Sequence, residues 1–584
     1  MPYHDLFIAP SATDYLRIFL YGLRLDVAVA AYLTIIPGLI LLAGQWYEGK
    51  ALRRCWNGYF GIAAFLYSLA VISNAALYGY WGFPLDDTPL LYVSTSPKDA
   101  MASMTALQII LYLLFVLLLG TGIYAVIMKG AKWHFPVGNH RSNLEPLYTS
   151  LILTVLIAAL ILPIRGGLGT GTNHTGSVYF TTDNRMNHAA VNPVFSFAES
   201  VIHHQEIGSR YRFMSDEEAT AIFETMTHAP LRTTAVERRW NIILITLESF
   251  SDSVMHIPGV TPCLNELAAT ELYFPNFYAN SFRTDRALVS IHSGLPAQPT
   301  MSIMDMPRKS GSLPSIAGVL AENGYSTTFY YGGDINYSNM RSYFMGTGFQ
   351  QIVSDEDFPK SFQTSKWGVA DGPVFNRMMS DIIADNSGRP FFRSIMTESS
   401  HEPFDVPDYS RITTSPELNA FAYADECLGR FIKQLRELPC WNNTLVVIVS
   451  DHLGAFPHHV DNYQTWRYHL PLVLTGGAME PIRAEVSKFK DAVGSQTDIA
   501  ATLLGMLGIE HSRFIYSRDL LDPEAPHFAF FTFPDAVGII TAEGSMIYDI
   551  TSNSISSQDT SRADSLARCS KAFLQKLYDD LDAR

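Results

Sequence analysis

A chain of 584 residues is longer than one ordinary domain. With 48% hydrophobic and only 17% charged residues, it is more apolar than a soluble enzyme of this size. A formal net charge of −15 excludes a binder of the nucleic-acid backbone, which needs a basic surface.

The apolar excess sits in the first third. Stretches 27–43, 59–78, 104–127 and 147–164 approach the roughly 20 residues of helix that cross a bilayer. Runs such as LQIILYLLFVLLLGTGIYAVIM have no polar face, unlike a helix on a soluble surface, so a soluble bundle is the weaker reading. Tyr15 to Leu25 is too short and too charged to span and is expected at the interface. Nothing before Asp14 has the basic start or cleavage site of a signal peptide. Lys50, Arg53 and Arg54 follow the first span, and Lys129, Lys132 and Arg141 follow the third. The loop after the second offers Asp86, Asp87 and Asp99 against Lys98. The positive-inside rule puts the basic loops in the cytoplasm, hence the N-terminus and everything after the fourth span outside.

After the fourth span the composition changes. A glycine-rich stretch over 166–171 leads to Asn192-Pro193, which breaks the chain before a helix toward Val201. From Trp240 onward, the β-rich runs NIILITLES, STTFYYGGD, FFRSIMTESS and TLVVIVSD alternate with helical patterns. That alternation predicts βαβ units and a mostly parallel sheet covered on both faces. The cysteines Cys55, Cys263, Cys427, Cys440 and Cys569 are scattered and show no CxxC spacing. Cys427–Cys440 is the one candidate bridge, in an oxidising compartment.

In such a sheet, function collects at the carboxyl ends of the strands. NIILITL runs into Glu248-Ser249, LVVIVS into Asp451-His452, and FFRSIMTESS into His401. Any one of these could be a strand-end turn or cap; together, two carboxylates and imidazole on one edge suit a hard-to-borderline metal ion. In SFRTDRALVSIHSGLP, Thr284 opens a predicted helix. The plain reading is an N-cap. A hydroxyl at a helix start also sits where the dipole favours an anion, and a metal beside it would make it a nucleophile.

The ordered set LxxESF, SxRTDRALxSIxSGxP, SSHEPF and SDHxG, behind a multi-span segment and NHAAVNPVFSF, resembles the lipoteichoic acid synthase and phosphoglycerol transferase family. That family lies within the alkaline phosphatase and sulfatase superfamily. The resemblance implies an α-helical transmembrane domain over 1–165 and a juxtamembrane linker with helices over 166–238. An α/β alkaline phosphatase/sulfatase-like domain with a mostly parallel central sheet follows over 239–530, completed by a strand and helix over 531–584. It also implies that Glu248, Thr284, Asp451 and His452 bind one divalent ion, manganese first, with magnesium or zinc as alternatives. Thr284 would be the nucleophile, His401 the residue at the substrate phosphate or leaving oxygen, and Tyr337 and Asn339 contacts of the glycerol-phosphate group.

The implied activity is transfer of phosphoglycerol from a lipid such as phosphatidylglycerol to a glycan or glycerol-phosphate alcohol, through a phospho-threonine. The enzyme would be a multi-pass protein of the cell membrane with its catalytic domain outside the cytoplasm or in the periplasm. Phosphoethanolamine transfer is the near alternative. A sulfatase or phosphodiesterase is another, although Thr284-Asp285-Arg286 lacks the CxPxR pattern of sulfatases. A non-catalytic membrane sensor would have lost a ligand or the nucleophile, and none is lost. Three departures stand out: the chain shows four spans where the family commonly has five, Asp451-His452 is followed by Leu453-Gly454 rather than directly by glycine, and His292 and His469 fall outside the motifs, where structural roles are expected.

Overall fold

The protein is described from a computed structural model covering residues 11–47, 49–81, 83–87, 89–90, 106–130, 144–202, 207, 210–227, 238–454, 460–534 and 536–584. It divides into two compact units, Met1–Gln205 and Glu206–Arg584.

In the first unit, helices α1 (Ala12–Gly44), α2 (Lys50–Trp81), α3 (Ala106–Gly130) and α4 (Glu145–Ala159, continued by Ile161–Arg165) supply four spans long and apolar enough to cross a membrane. α1 corrects the sequence reading. Tyr15 to Leu25 is not a separate interfacial piece but the first part of one helix of 33 residues. Ser11 caps it in a capping box with Asp14. Its charged groups are matched within the unit: Arg24 Nε donates to Asn173 Oδ1 at 2.8 Å, and Asp26 Oδ1 accepts from Asn192 Nδ2 at 2.7 Å. Lys50, Arg53 and Arg54, expected in a loop, form the start of α2. Met104, Lys98, Asp99, Lys132 and Arg141 lie outside the described residues. Pro193 opens a helix to Ile202, where Asn192-Pro193 predicts a break.

The second unit is built on a seven-stranded sheet. Its strands are β1 (Asn241–Leu247), β2 (Leu272–Tyr273), β4 (Ser326–Tyr331), β5 (Gln351–Val353), β6 (Phe391–Met396), β7 (Thr444–Ser450) and β8 (Leu472–Thr475). Two further strands, β3 (Phe277–Tyr278) and β9 (Gly494–Ser495), pair with each other. The sheet order is β2-β8-β7-β1-β6-β4-β5, with every pairing parallel except those of β8, which runs antiparallel to both β7 and β2. Alternate side chains of a strand point to opposite faces. Ile242 and Leu244 of β1 accordingly enter one core, and Ile243, Ile245 and Leu247 the other. Burial on both faces explains why the four central strands read as near-continuous apolar runs.

The C-terminal part is richer than one strand and a helix. β10 (Ala529–Phe533), β11 (Ala536–Thr541), β12 (Gly544–Asp549) and β13 (Ser554–Gln558) form an antiparallel sheet. The Ala563–Ala583 helix follows, and its Phe573, Leu574 and Leu577 join the same core as Val537 and Met546. Tight connections between these short strands hide their individual signals. One of them turns at Gly544, whose φ of +123° favours glycine.

All five cysteines are unpaired, so Cys427 and Cys440 form no bridge. His292 is fully buried among Phe329, Phe344, Phe349 and Phe392, and burial lowers its imidazole to about 3, so it is neutral. His469 Nδ1 pairs with Asp252 Oδ2 at 3.3 Å.

Candidate active site

The carboxyl ends of the adjacent parallel strands β1, β6 and β7 gather the predicted residues. Glu248 follows β1 directly. Its backbone N–H donates to Thr397 Oγ1 at 2.8 Å, and its carbonyl accepts from Ser400 Oγ at 2.6 Å, so the turn after β6 holds it from the side. The chain then swings away through Ser249, at φ +60°. Ser249 N donates to Asp451 Oδ1 at 2.8 Å, and its hydroxyl donates to Glu248 Oε1 at 2.7 Å. This turn also accounts for Gly454, since a Cβ there would stand 2.6 Å from Ser249 Oγ. The Leu453-Gly454 order fits a close approach between the ends of β1 and β7.

Asp451 and His452 follow β7. His452 N donates to Asp451 Oδ1 at 2.7 Å, and its ring Nδ1 lies 3.1 Å from Leu453 O. With Nδ1–H donated to that carbonyl, Nε2 keeps a lone pair for the cluster. Thr284 begins the Thr284–Ser293 helix, and Arg283 occupies the cap position. The hydroxyl of Thr284 is not used in capping. Oγ1 lies 2.9 Å from Asp451 Oδ2, 3.3 Å from Glu248 Oε2 and 3.2 Å from His452 Nε2.

One ligand atom from each of Glu248, Asp451 and His452 lies within 4.8 Å of the others. Both carboxylates are buried, and among the described residues neither pairs with lysine or arginine. Burial, and then the Asp451 charge, push the Glu248 carboxyl above its ordinary value. Two buried like charges need a cation between them, and this oxygen and nitrogen donor set suits a divalent ion, with Thr284 Oγ1 facing the same point.

A cleft opens beside Thr284, lined among others by Glu248, Tyr337, Trp367, Glu398 and His401. His401 Nδ1 lies 2.8 Å from Glu402 O, and its ring centroid is 4.5 Å from that of Trp367, which also meets Tyr337 at 5.4 Å. Tyr337 thus lines the cleft, whereas Asn339 is not among its lining residues. The Asn339 backbone is left-handed at φ +59°, and its side chain is buried. Sequence reasoning passed over Trp367 and Glu398. Glu398 lies in the turn whose neighbour His401 drew attention, and Trp367 belongs to no recognisable motif.

Residues 240–509 match the Sulfatase family model. Over 322 residues the chain is 23% identical to a lipoteichoic acid synthase-like protein, YvgJ, of Bacillus subtilis, covering 50% of this chain and 51% of that protein. It is 26% identical to phosphoglycerol transferase I of Xanthomonas campestris, covering 50% and 44% respectively. The chain spans about half the length of the curated relatives it matches. Among solved structures, a protein of the alkaline phosphatase superfamily from Vibrio parahaemolyticus superposes with a TM-score of 0.55 at 23% identity, over 64% of this chain and 98% of that one. Lipoteichoic acid synthase LtaP from Listeria monocytogenes gives 0.51 at 18%, over 63% and 98%. Residues 240–509, which hold the strand-end cluster, are thus similar to the Sulfatase family model, and the second unit shares the fold of these two solved structures.

Proposed function

We propose that this protein is a membrane-anchored, metal-dependent phosphoglycerol transferase whose Thr284 is the covalent nucleophile and whose catalytic domain works outside the cytoplasm. The carrying observation is the Thr284 hydroxyl, uncommitted to capping and within hydrogen-bond distance of Glu248, Asp451 and His452. Relatives named as lipoteichoic acid synthases and phosphoglycerol transferases favour phosphoglycerol as the transferred group.

A divalent ion held by Glu248, Asp451, His452 and Thr284, manganese first, would lower the threonine pKa and neutralise charge on the phosphoryl oxygens. Thr284 Oγ1 gives up its proton to solvent water and bonds to the phosphorus of phosphatidylglycerol, and the bond to the diacylglycerol oxygen breaks. Backbone N–H groups in the first turn of the Thr284–Ser293 helix lack intrahelical partners and favour the anionic phosphoryl group. His401, in the same cleft, protonates the departing diacylglycerol oxygen. A glycan or glycerol-phosphate hydroxyl then gives its proton to His401 and bonds to phosphorus while the Thr284–phosphorus bond breaks, and Thr284 Oγ1 takes a proton back from solvent water. A membrane anchor suits this chemistry because the donor is itself a lipid.

Diacylglycerol release from phosphatidylglycerol by the full chain tests the reading. Thr284→Ala should abolish release while the domain stays folded, since Thr284 follows the cap position and does not fill it. Thr284→Ser keeps a hydroxyl and should retain part of the rate. Near-normal release by folded Thr284→Ala protein would exclude the covalent route.

A further inference from the structure

Glu398 sits in the cleft as a buried carboxyl that the proposed mechanism does not use. It is held firmly. Its backbone N–H donates to Asp371 Oδ1 at 2.8 Å, and its Oε1 accepts from Ser365 Oγ at 3.0 Å. Asp371 is itself anchored, its N–H donating to Ser399 Oγ at 2.9 Å. The second oxygen, Oε2, is buried with no hydrogen-bond partner among the described residues. Such a group loses favourable interactions unless something supplies one, so an orphaned, rigidly placed oxygen at a binding cleft calls for a ligand group.

The surroundings narrow the ligand's chemistry. No lysine or arginine is among the described residues lining the cleft. Burial, and then Asp371, raise the Glu398 carboxyl to about 8, so it is protonated at neutral pH and can both donate and accept. A neutral hydroxyl is the natural partner for such a group, and the aromatic faces of Tyr337 and Trp367 suit a short carbon skeleton alongside.

We propose that Glu398 is the specificity residue of the cleft, hydrogen-bonding the free hydroxyls of the donor's glycerol head group through Oε2. This rests on the phosphoglycerol reading above and adds to it the residue that recognises the head group.

The test compares diacylglycerol release by the full chain from two donors in detergent micelles: phosphatidylglycerol, and phosphatidylpropanol, whose three-carbon head group has no hydroxyl. The wild-type protein should favour phosphatidylglycerol in kcat/KM by about tenfold or more, because a site built around a hydroxyl discriminates strongly against its absence. In Glu398→Leu that preference should collapse, the rate on phosphatidylglycerol falling far more than the rate on phosphatidylpropanol. Glu398→Gln, which preserves a donor and an acceptor, should keep an intermediate preference. An equal fall on both donors in both variants would make Glu398 merely structural, and an intact preference in Glu398→Leu would show that another group reads the head. Either result overturns the inference and leaves the transferase reading standing. Failure of the wild-type protein to release diacylglycerol from phosphatidylglycerol would overturn both.

Discussion

Asp451 ties Ser249, His452 and Thr284 together in the candidate site. Its Oδ1 accepts from the backbone N–H groups of Ser249 and His452, which fixes the carboxylate plane, and its Oδ2 faces the Thr284 hydroxyl. Asp451→Asn keeps the shape but removes a charge, and it sets an amide N–H₂ where an acceptor is needed on one side or the other. Metal content and turnover should fall together in that variant, which elemental analysis alongside diacylglycerol release would measure. Full metal occupancy in Asp451→Asn would show that the ligand set is wrong. Glu248, Asp451 and His452 are legible in the sequence because a charged residue at the end of an apolar strand has few structural reasons to be there. Glu398 and Trp367 are not legible, because their significance comes from a cleft assembled by segments far apart in the chain.

The parallel strands β1, β4, β6 and β7 are visible in the sequence as near-continuous apolar runs, a consequence of being covered on both faces. The short strands β2, β3, β5 and β9, of two or three residues, carry no periodicity to read. The four-stranded C-terminal sheet is likewise hidden, and its helix is tied to the start of the unit by a contact no pattern could reveal. Gln575, buried on the Ala563–Ala583 helix, accepts through Oε1 from Phe213 N at 2.9 Å and Met214 N at 3.2 Å, and its Nε2 donates to Met214 O at 3.1 Å. Gln575→Leu leaves those backbone groups without partners and should cost about 1–3 kcal/mol of stability. A thermal melt of the purified protein would register the loss. An unchanged melting temperature would show that water satisfies those groups equally well.

Across the whole chain, four long apolar helices are followed by a segment, 240–509, that matches the Sulfatase family model. The four helices are legible because their runs are uniformly apolar, whereas the extent of α1 is not, because the partners of Arg24 and Asp26 lie 149 and 166 residues away at Asn173 and Asn192. In the proposed topology, Lys50, Arg53 and Arg54 at the start of α2 and Lys129 at the end of α3 mark cytoplasmic ends, and the chain after Arg165 lies outside. Fusions after Arg165 should therefore activate a reporter that works only outside the cytoplasm. Activity of a cytoplasm-only reporter at that point would reverse the topology and remove the lipid donor from reach. The central claim, a covalent phosphoglycerol group on Thr284, is tested most directly by peptide mass spectrometry of the full chain after incubation with membrane lipids. The account predicts a phosphoglycerol mass on the Thr284 peptide, absent from Thr284→Ala protein. A phosphoethanolamine or sulfate mass, or turnover with Thr284 never modified, would contradict it.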